Sequence, residues 1–221
     1  MDTIQTIVQF FQTGGTFMYP ILIIFAFGAA ICIERYFKLS GIGKVNKKVW
    51  DTVHPLLDEG DFDKARDSIA DDESAIANLL NMGLARQGSV RRRDDIEIAM
   101  EESMMEIIPT LEKRTPFIAL FANICTLLGL LGTIMGLIEA FTAVANADPA
   151  EKADLLSASI SVAMNTTAFG LMAAIPLLIV HAIISSKTVE IIDSLEMASV
   201  KTLNLIADFA KRQAALAAKN G

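Results

Sequence analysis

Three apolar runs of membrane length, nearly free of charge, constrain this chain more than any other feature: residues 17–33, 116–141 and 157–186. A helix needs about 20 apolar residues to cross ~30 Å of hydrocarbon. Inside lipid the backbone must satisfy its own hydrogen bonds, which leaves helices for runs of this length. The first run has only 17 residues, and Phe10 and Phe11 extend it. The other two have length to spare and can tilt or protrude. Of the 221 residues, 52% are hydrophobic and 20% charged, and the apolar ones are gathered into blocks rather than spread as stripes or alternations. The expected fold is an all-α membrane protein with three transmembrane helices. Nothing reads as a strand or an internal repeat.

Lysine and arginine set the expected orientation. Residues 1–16 hold none, 34–115 hold 13, 142–156 hold one and the tail from residue 187 holds five. The positive-inside rule puts 34–115 and the tail in the cytoplasm, and the N-terminus and the 142–156 connector outside. The net charge of −7 does not oppose this, since acidic residues count little in that rule. The first run does not read as a signal peptide. No basic residue precedes it, and Glu34-Arg35 stands where small residues would mark a cleavage site. The expected organisation is an extracytoplasmic N-terminus (1–16), transmembrane helix 1 (17–37), a cytoplasmic helical domain (38–115) and transmembrane helix 2 (116–141). A periplasmic connector (142–156), transmembrane helix 3 (157–186) and a cytoplasmic C-terminal helix (187–221) complete it.

The cytoplasmic part is helical in pattern. Gly60 reads as a helix end and Asp61 as an N-cap. Ile96, Met100, Ser103, Met104, Ile107 and Leu111 keep helical spacing, which predicts one long helix over about 94–146 with Pro109 inside it and Pro116 at the membrane entry. Ile192, Leu195, Ser199, Leu203, Ile206 and Ala210 make a second stripe along the tail. Both are read as packing surfaces, and only the last residues, AALAAKNG, look frayed.

The chemistry lies in the second and third runs. LLGLLGTIMGLIEAF carries Thr133 among glycines, and NTTAFGLMAAIP carries Asn165, Thr166 and Thr167. A hydroxyl deep in lipid needs a partner, a pore or a backbone carbonyl. Measured from an outer boundary at Phe141 and Ile160, Thr133 and Thr167 both lie roughly 11 Å inside. They can line one layer of a channel, and Thr166 and Asn165 beside them are further candidates for the ion pathway. The alternative is that each bonds its own i−4 carbonyl and does no more. Gly129, Gly132 and Gly136 include a small-xxx-small pair and are assigned to helix packing. Pro176 is read as a kink in the third run. Glu139 is the one acid between Pro116 and Phe141, about a turn from the outer boundary, and is a candidate entrance residue. No acid falls at the level of Thr133 and Thr167, so an ion passing them needs a carboxylate from another chain. His181 near the cytoplasmic end suits a proton relay or an interfacial position. Cys32 and Cys125 are read as buried free thiols. Arg91-Arg92-Arg93 is read as a solvated cluster.

GLLGTIMGLIEAF followed by TAFGLMAAIP resembles the proton-channel family of the TolQ, ExbB and MotA proteins. YPILIIFAFGAAICIERYFKL is similar to that family's first membrane helix, and LEKRTPFIALFANICTLLGLLGT to its approach to the second. Three spans with an outside N-terminus and a large first cytoplasmic loop resemble the TolQ/ExbB branch more than the four-span flagellar stators. The resemblance implies a ring, a homopentamer, around two copies of a single-span partner of the ExbD or TolR type. That partner brings one membrane aspartate, and ions pass between it and the threonines that Thr133 and Thr167 match. A TonB-like or TolA-like effector would carry the work outward. The implied location is a bacterial inner membrane, in contact with lipid, with no enzyme activity, metal, cofactor or nucleic acid expected; the transported ion is H+ or Na+.

One position departs from the pattern. TolQ and ExbB proteins usually carry a glutamate five residues before the third-helix threonine, and here Val162 stands there. Paired threonines are similar to sodium-driven stators, so sodium is an alternative ion. A passive membrane scaffold and a flagellar-type stator subunit are the alternative functions.

Overall fold

The computed structural model describes residues 10–11, 13–86 and 93–220. Its helices are α1 (Met18–Glu59), α2 (Phe62–Asp67), α3 (Ala75–Arg86), α4 (Arg93–Glu112), α5 (Thr115–Asn146) and α6 (Lys152–Asn220). There is no strand among the described residues. Three helical stretches are long and apolar enough to cross a membrane, and they contain the three runs read from the sequence apart from Phe17. The chain divides into two units, Met1–Arg35 with Arg114–Ile184, and Tyr36–Lys113 with Ser185–Gly221.

The first unit is a membrane-type bundle made from the start of α1, all of α5 and the first half of α6. Its interior is small: Ala122, Cys125, Ala140, Ala163, Ala173 and Ala174 are buried beside Ile21, Ile118 and Leu177. Its large side chains point outward, Phe27, Leu127, Ile134, Met172 and Ile179 all being more than half or about half exposed. A water-soluble domain rarely shows so much contiguous apolar surface; lipid is the solvent that makes it stable. Glycines bring the backbones together. A Cβ on Gly170 would lie 2.7 Å from the Cys125 carbonyl oxygen and 3.0 Å from the Gly129 Cα. A Cβ on Gly129 would lie 3.3 Å from its nearest atoms, so Gly170 is the position where the approach demands glycine. Cys32 and Cys125 are buried thiols, and the Cys125 Sγ lies 3.8 Å from the Ile21 carbonyl oxygen. At the far end Arg114 reaches Glu34 at 2.7 Å.

The second unit combines the rest of α1 with α2, α3, α4 and the end of α6. Gly60 ends α1 as the sequence predicts. At φ 80° its N–H bonds Leu57 O at 3.1 Å, while Asp61 N–H bonds Leu56 O at 3.0 Å. This pair of bonds satisfies carbonyls the helix end leaves open. Phe209 lies where a Cβ on Gly60 would be. Asp61 then caps α2, accepting from Lys64 N–H at 3.3 Å. Its hydrogen bond with the Lys64 side chain holds the carboxyl below the usual carboxylate range, and the same bond raises the Lys64 ammonium. The α4 stripe of Ile96, Met100, Ser103, Met104, Ile107 and Leu111 is buried, as are Leu195, Leu203 and Ile206 of α6. Ser199 meets the Met100 sulfur at 3.7 Å within the same unit.

One expectation is corrected. The single helix expected over 94–146 is two, because Arg114 takes a left-handed φ of 68° and Pro116 opens the next helix. Proline fits a first turn, where its missing N–H costs nothing, so a new helix can start at Thr115. α6 runs to Asn220. Pro109 and Pro176 lie inside α4 and α6. Arg91 and Arg92 of the basic cluster lie outside the described residues, and Arg93 starts α4 with a bond to Asn204 at 3.1 Å.

Candidate functional site

The close approach of α5 and α6 puts side chains of one helix within reach of the other's backbone. Thr133 Oγ1 lies 3.2 Å from Gly129 O on its own helix and 3.3 Å from Ala163 O on the other. Thr167 Oγ1 donates to Gly129 O at 2.9 Å. The two hydroxyls also bond each other directly. Two threonines expected at one depth are therefore in contact, and both bond across the helix interface rather than only to their own i−4 carbonyls.

Each threonine brings one hydrogen and two lone pairs. With Thr167 donating to Gly129 O and Thr133 to a carbonyl or to Thr167, both hydrogens are used and lone pairs remain. Both residues are half-buried, so the pair opens to one side. It is a neutral oxygen-donor site with two carbonyls beneath it. Such a site can take part in coordinating a cation or hydrating a proton, but it cannot store a proton at neutral pH. No Asp or Glu occurs in 116–138 or 155–189.

Thr166 and Asn165 go elsewhere. Thr166 is 2% exposed and donates to Gly14 O at 2.5 Å, with Val162 O 3.0 Å away. Asn165 donates to Thr13 Oγ1 at 3.4 Å. Both tie the segment before α1 to α6, a hundred degrees or more around the helix from Thr167 by roughly 100° per residue. Val162 is on this side too: its methyl is the nearest atom, 3.1 Å, to a Cβ on Gly15. Gly132 lies against Thr166 and Phe17, and Gly136 against Ala163. Glu139 is exposed, and six residues of α5 turn it roughly 120° from Thr133, so the structure does not bring it to the hydroxyl pair.

Two residues on the open side were missed by the sequence reading. Asn123 and Thr126 fall within roughly 80° of Thr133 around α5, on the stretch leading back to Pro116. Both are exposed. Thr126 donates to Ala122 O at 3.2 Å, whereas the Asn123 amide bonds none of the described residues. Plotting α5 on a helical wheel from Thr133 is the signal that finds them.

The amino-acid sequence that builds this bundle matches known proteins. Residues 71–197 match the model of the MotA/TolQ/ExbB proton channel family. The chain belongs to this family. Its relatives include a biopolymer transport ExbB homolog of Methanothermobacter thermautotrophicus, 26% identical over 194 residues, 87% of this chain and 67% of that protein. The Tol-Pal system protein TolQ of Haemophilus influenzae is 40% identical over 78 residues, 35% of this chain and 34% of TolQ. The likeness is to the TolQ/ExbB branch, and family and helices together make this an integral membrane protein.

Proposed function

We propose that this chain is the ion-conducting ring subunit of an inner-membrane motor, coupling proton flow to work on a periplasmic or outer-membrane system. The observation that carries this reading is the Thr133–Thr167 pair: an oxygen-lined layer, open to one side, in membrane helices with no acid at that level. The missing charge comes from the membrane aspartate of a single-span ExbD/TolR-like partner, two copies inside a homopentamer of this chain. Protons pass between that carboxylate and the threonine layer. One charge crossing 100 mV releases about 2.3 kcal/mol, enough to bias a ring between near-equivalent packings on its partner. The N-terminus is periplasmic and the C-terminus cytoplasmic, with 38–115 and 187–221 as the cytoplasmic part. Thr166 and Asn165 hold the segment before α1 against α6, and Glu139 serves the outer rim.

Sodium is the second reading. Val162 leaves the third membrane helix without the branch's usual glutamate, and the donors at the pair are all neutral oxygens, which suit a hard cation.

The test is flux through the chain reconstituted with a single-span aspartate partner, under a proton gradient alone and a sodium gradient alone. Proton-driven flux that an aspartate-to-asparagine partner abolishes is the expected result. Flux only under the sodium gradient selects the second reading. No flux of either ion through an assembled complex overturns both.

A further inference from the structure

Just beyond the first membrane run, α1 and α6 enclose a groove of about 630 Å³ within the second unit. Its walls start where the membrane spans end, at Tyr36 and Phe37 on α1 and Lys187 on α6. We propose that this groove binds the headgroup of an anionic phospholipid whose phosphate carries a further hydroxyl-bearing group, of the phosphatidylglycerol type.

Charge and placement carry the proposal. Lys44, Lys47 and Lys187 line the groove, against Asp51 and Glu190. Lys187 is held in place rather than free in solvent: its Nζ donates to Ser40 Oγ at 2.8 Å and sits 4.9 Å from the Tyr36 ring centre. An ammonium has three hydrogens, so this arrangement leaves donors for a phosphate. Both helices run away from the membrane, and helical side chains lean toward the helix N-terminus. The lysine stems therefore lean back toward the bilayer, where the ammonium groups meet lipid phosphates. Tyr36 and Phe37, 45% and 70% exposed, supply the aromatic contact usual at that level. Basic pockets between helices at the cytoplasmic side are where anionic headgroups bind.

The groove lining also holds a buried amide. Asn46 is 3% exposed, and its Oδ1 accepts from Ile76 N–H at 3.4 Å. Its Nδ2 is buried with no hydrogen-bond partner. A buried amide donor left unmet costs about 1–3 kcal/mol. In the proposed complex the Asn46 side chain turns into the groove it lines, and a headgroup hydroxyl beyond the phosphate accepts from its Nδ2. Trp50 lines the same groove and is the one tryptophan of the chain.

The inference rests on the membrane placement of 17–37 and 157–186, not on ion conduction, and the two fail separately. The experiment titrates the full-length protein in neutral detergent with phosphatidylglycerol, phosphatidylcholine or inorganic phosphate. It reads Trp50 emission, and native mass spectrometry counts lipid retained. Phosphatidylglycerol is expected to shift the emission and stay bound, while phosphatidylcholine and phosphate do neither. The variant K44Q/K47Q removes two exposed ammonium groups and should weaken binding roughly tenfold or more with helicity unchanged. K201Q, outside the groove, should bind as the wild type. An equal response to phosphatidylcholine, a full response to phosphate alone, or wild-type binding by K44Q/K47Q would overturn the proposal. Ion flux measured beside it tells a failed lipid site from a failed channel.

Discussion

Thr133 and Thr167 exchange acceptors across the α5–α6 contact: each hydroxyl reaches the carbonyl one turn before the other threonine. Thr133 reaches Ala163 O at 3.3 Å, and Thr167 reaches Gly129 O at 2.9 Å. A threonine hydroxyl is short, so this exchange requires backbones nearly in contact. Gly129 and Gly170 provide that, and the site therefore depends on packing as much as on its oxygens.

Gly170→Ala tests the dependence. Its new Cβ would meet backbone at 2.7 and 3.0 Å, whereas one on Gly129 meets its nearest atoms at 3.3 Å. Overpacking of this kind costs about 1–3 kcal/mol. Gly170→Ala should lower the thermal midpoint in detergent more than Gly129→Ala, and should reduce flux. Wild-type midpoints for both would show that the helices have room to spare.

Thr166→Val should separate structure from conduction. The buried hydroxyl is lost and the Gly14 carbonyl loses its partner, a cost of about 1–3 kcal/mol. Hydrogen exchange across 13–18 should rise while ion selectivity stays that of the wild type. A changed selectivity would place Thr166 in the path itself.

Asn123 should matter because an unbonded amide on a membrane helix is costly unless it meets water, an ion or another chain. Asn123→Leu is expected to lower flux severalfold without lowering the thermal midpoint. Thr126→Val should do less, since that hydroxyl already bonds Ala122 O. Unchanged flux in Asn123→Leu would remove it from the path.

Acid should loosen the turn before α3. The Ser74 side chain, then its N–H, bond Asp72 and hold its carboxyl below the usual range; the N–H lies 2.7 Å from Oδ1. The folded pKa is the lower one, so this contribution is complete above the unfolded value of ~3.9 and is lost as pH falls through the folded value. Hydrogen exchange over 74–80 should speed up below that window in the wild type. In Asp72→Asn it should be faster at neutral pH and less sensitive to acid. Identical pH profiles would show that Asp72 does not hold this turn.

The spans, the Gly60–Asp61 turn and the α4 stripe were legible because each rests on local chemistry: apolar run length, a left-handed glycine and helical spacing. The depth match of Thr133 and Thr167 was legible because antiparallel helices in a slab share one coordinate. Their rotation about the helix axis was not. Thr166 is one residue from Thr167 yet points to a segment 152 residues away. Nothing near Thr166 in sequence marks that partner. The break at Arg114 hid for a related reason, since the apolar spacing continues on both sides of it and only the backbone reveals the turn.

The most direct measurement is ion flux through the reconstituted complex carrying Thr133→Ala, Thr167→Val or Thr133→Ser. The first two should lose flux by roughly tenfold or more, about 1.4 kcal/mol in barrier, with helicity and assembly unchanged, and Thr133→Ser, which keeps the hydroxyl, should retain most of it. Wild-type flux through intact complexes of both Thr133→Ala and Thr167→Val would contradict this and leave the pair as helix packing alone.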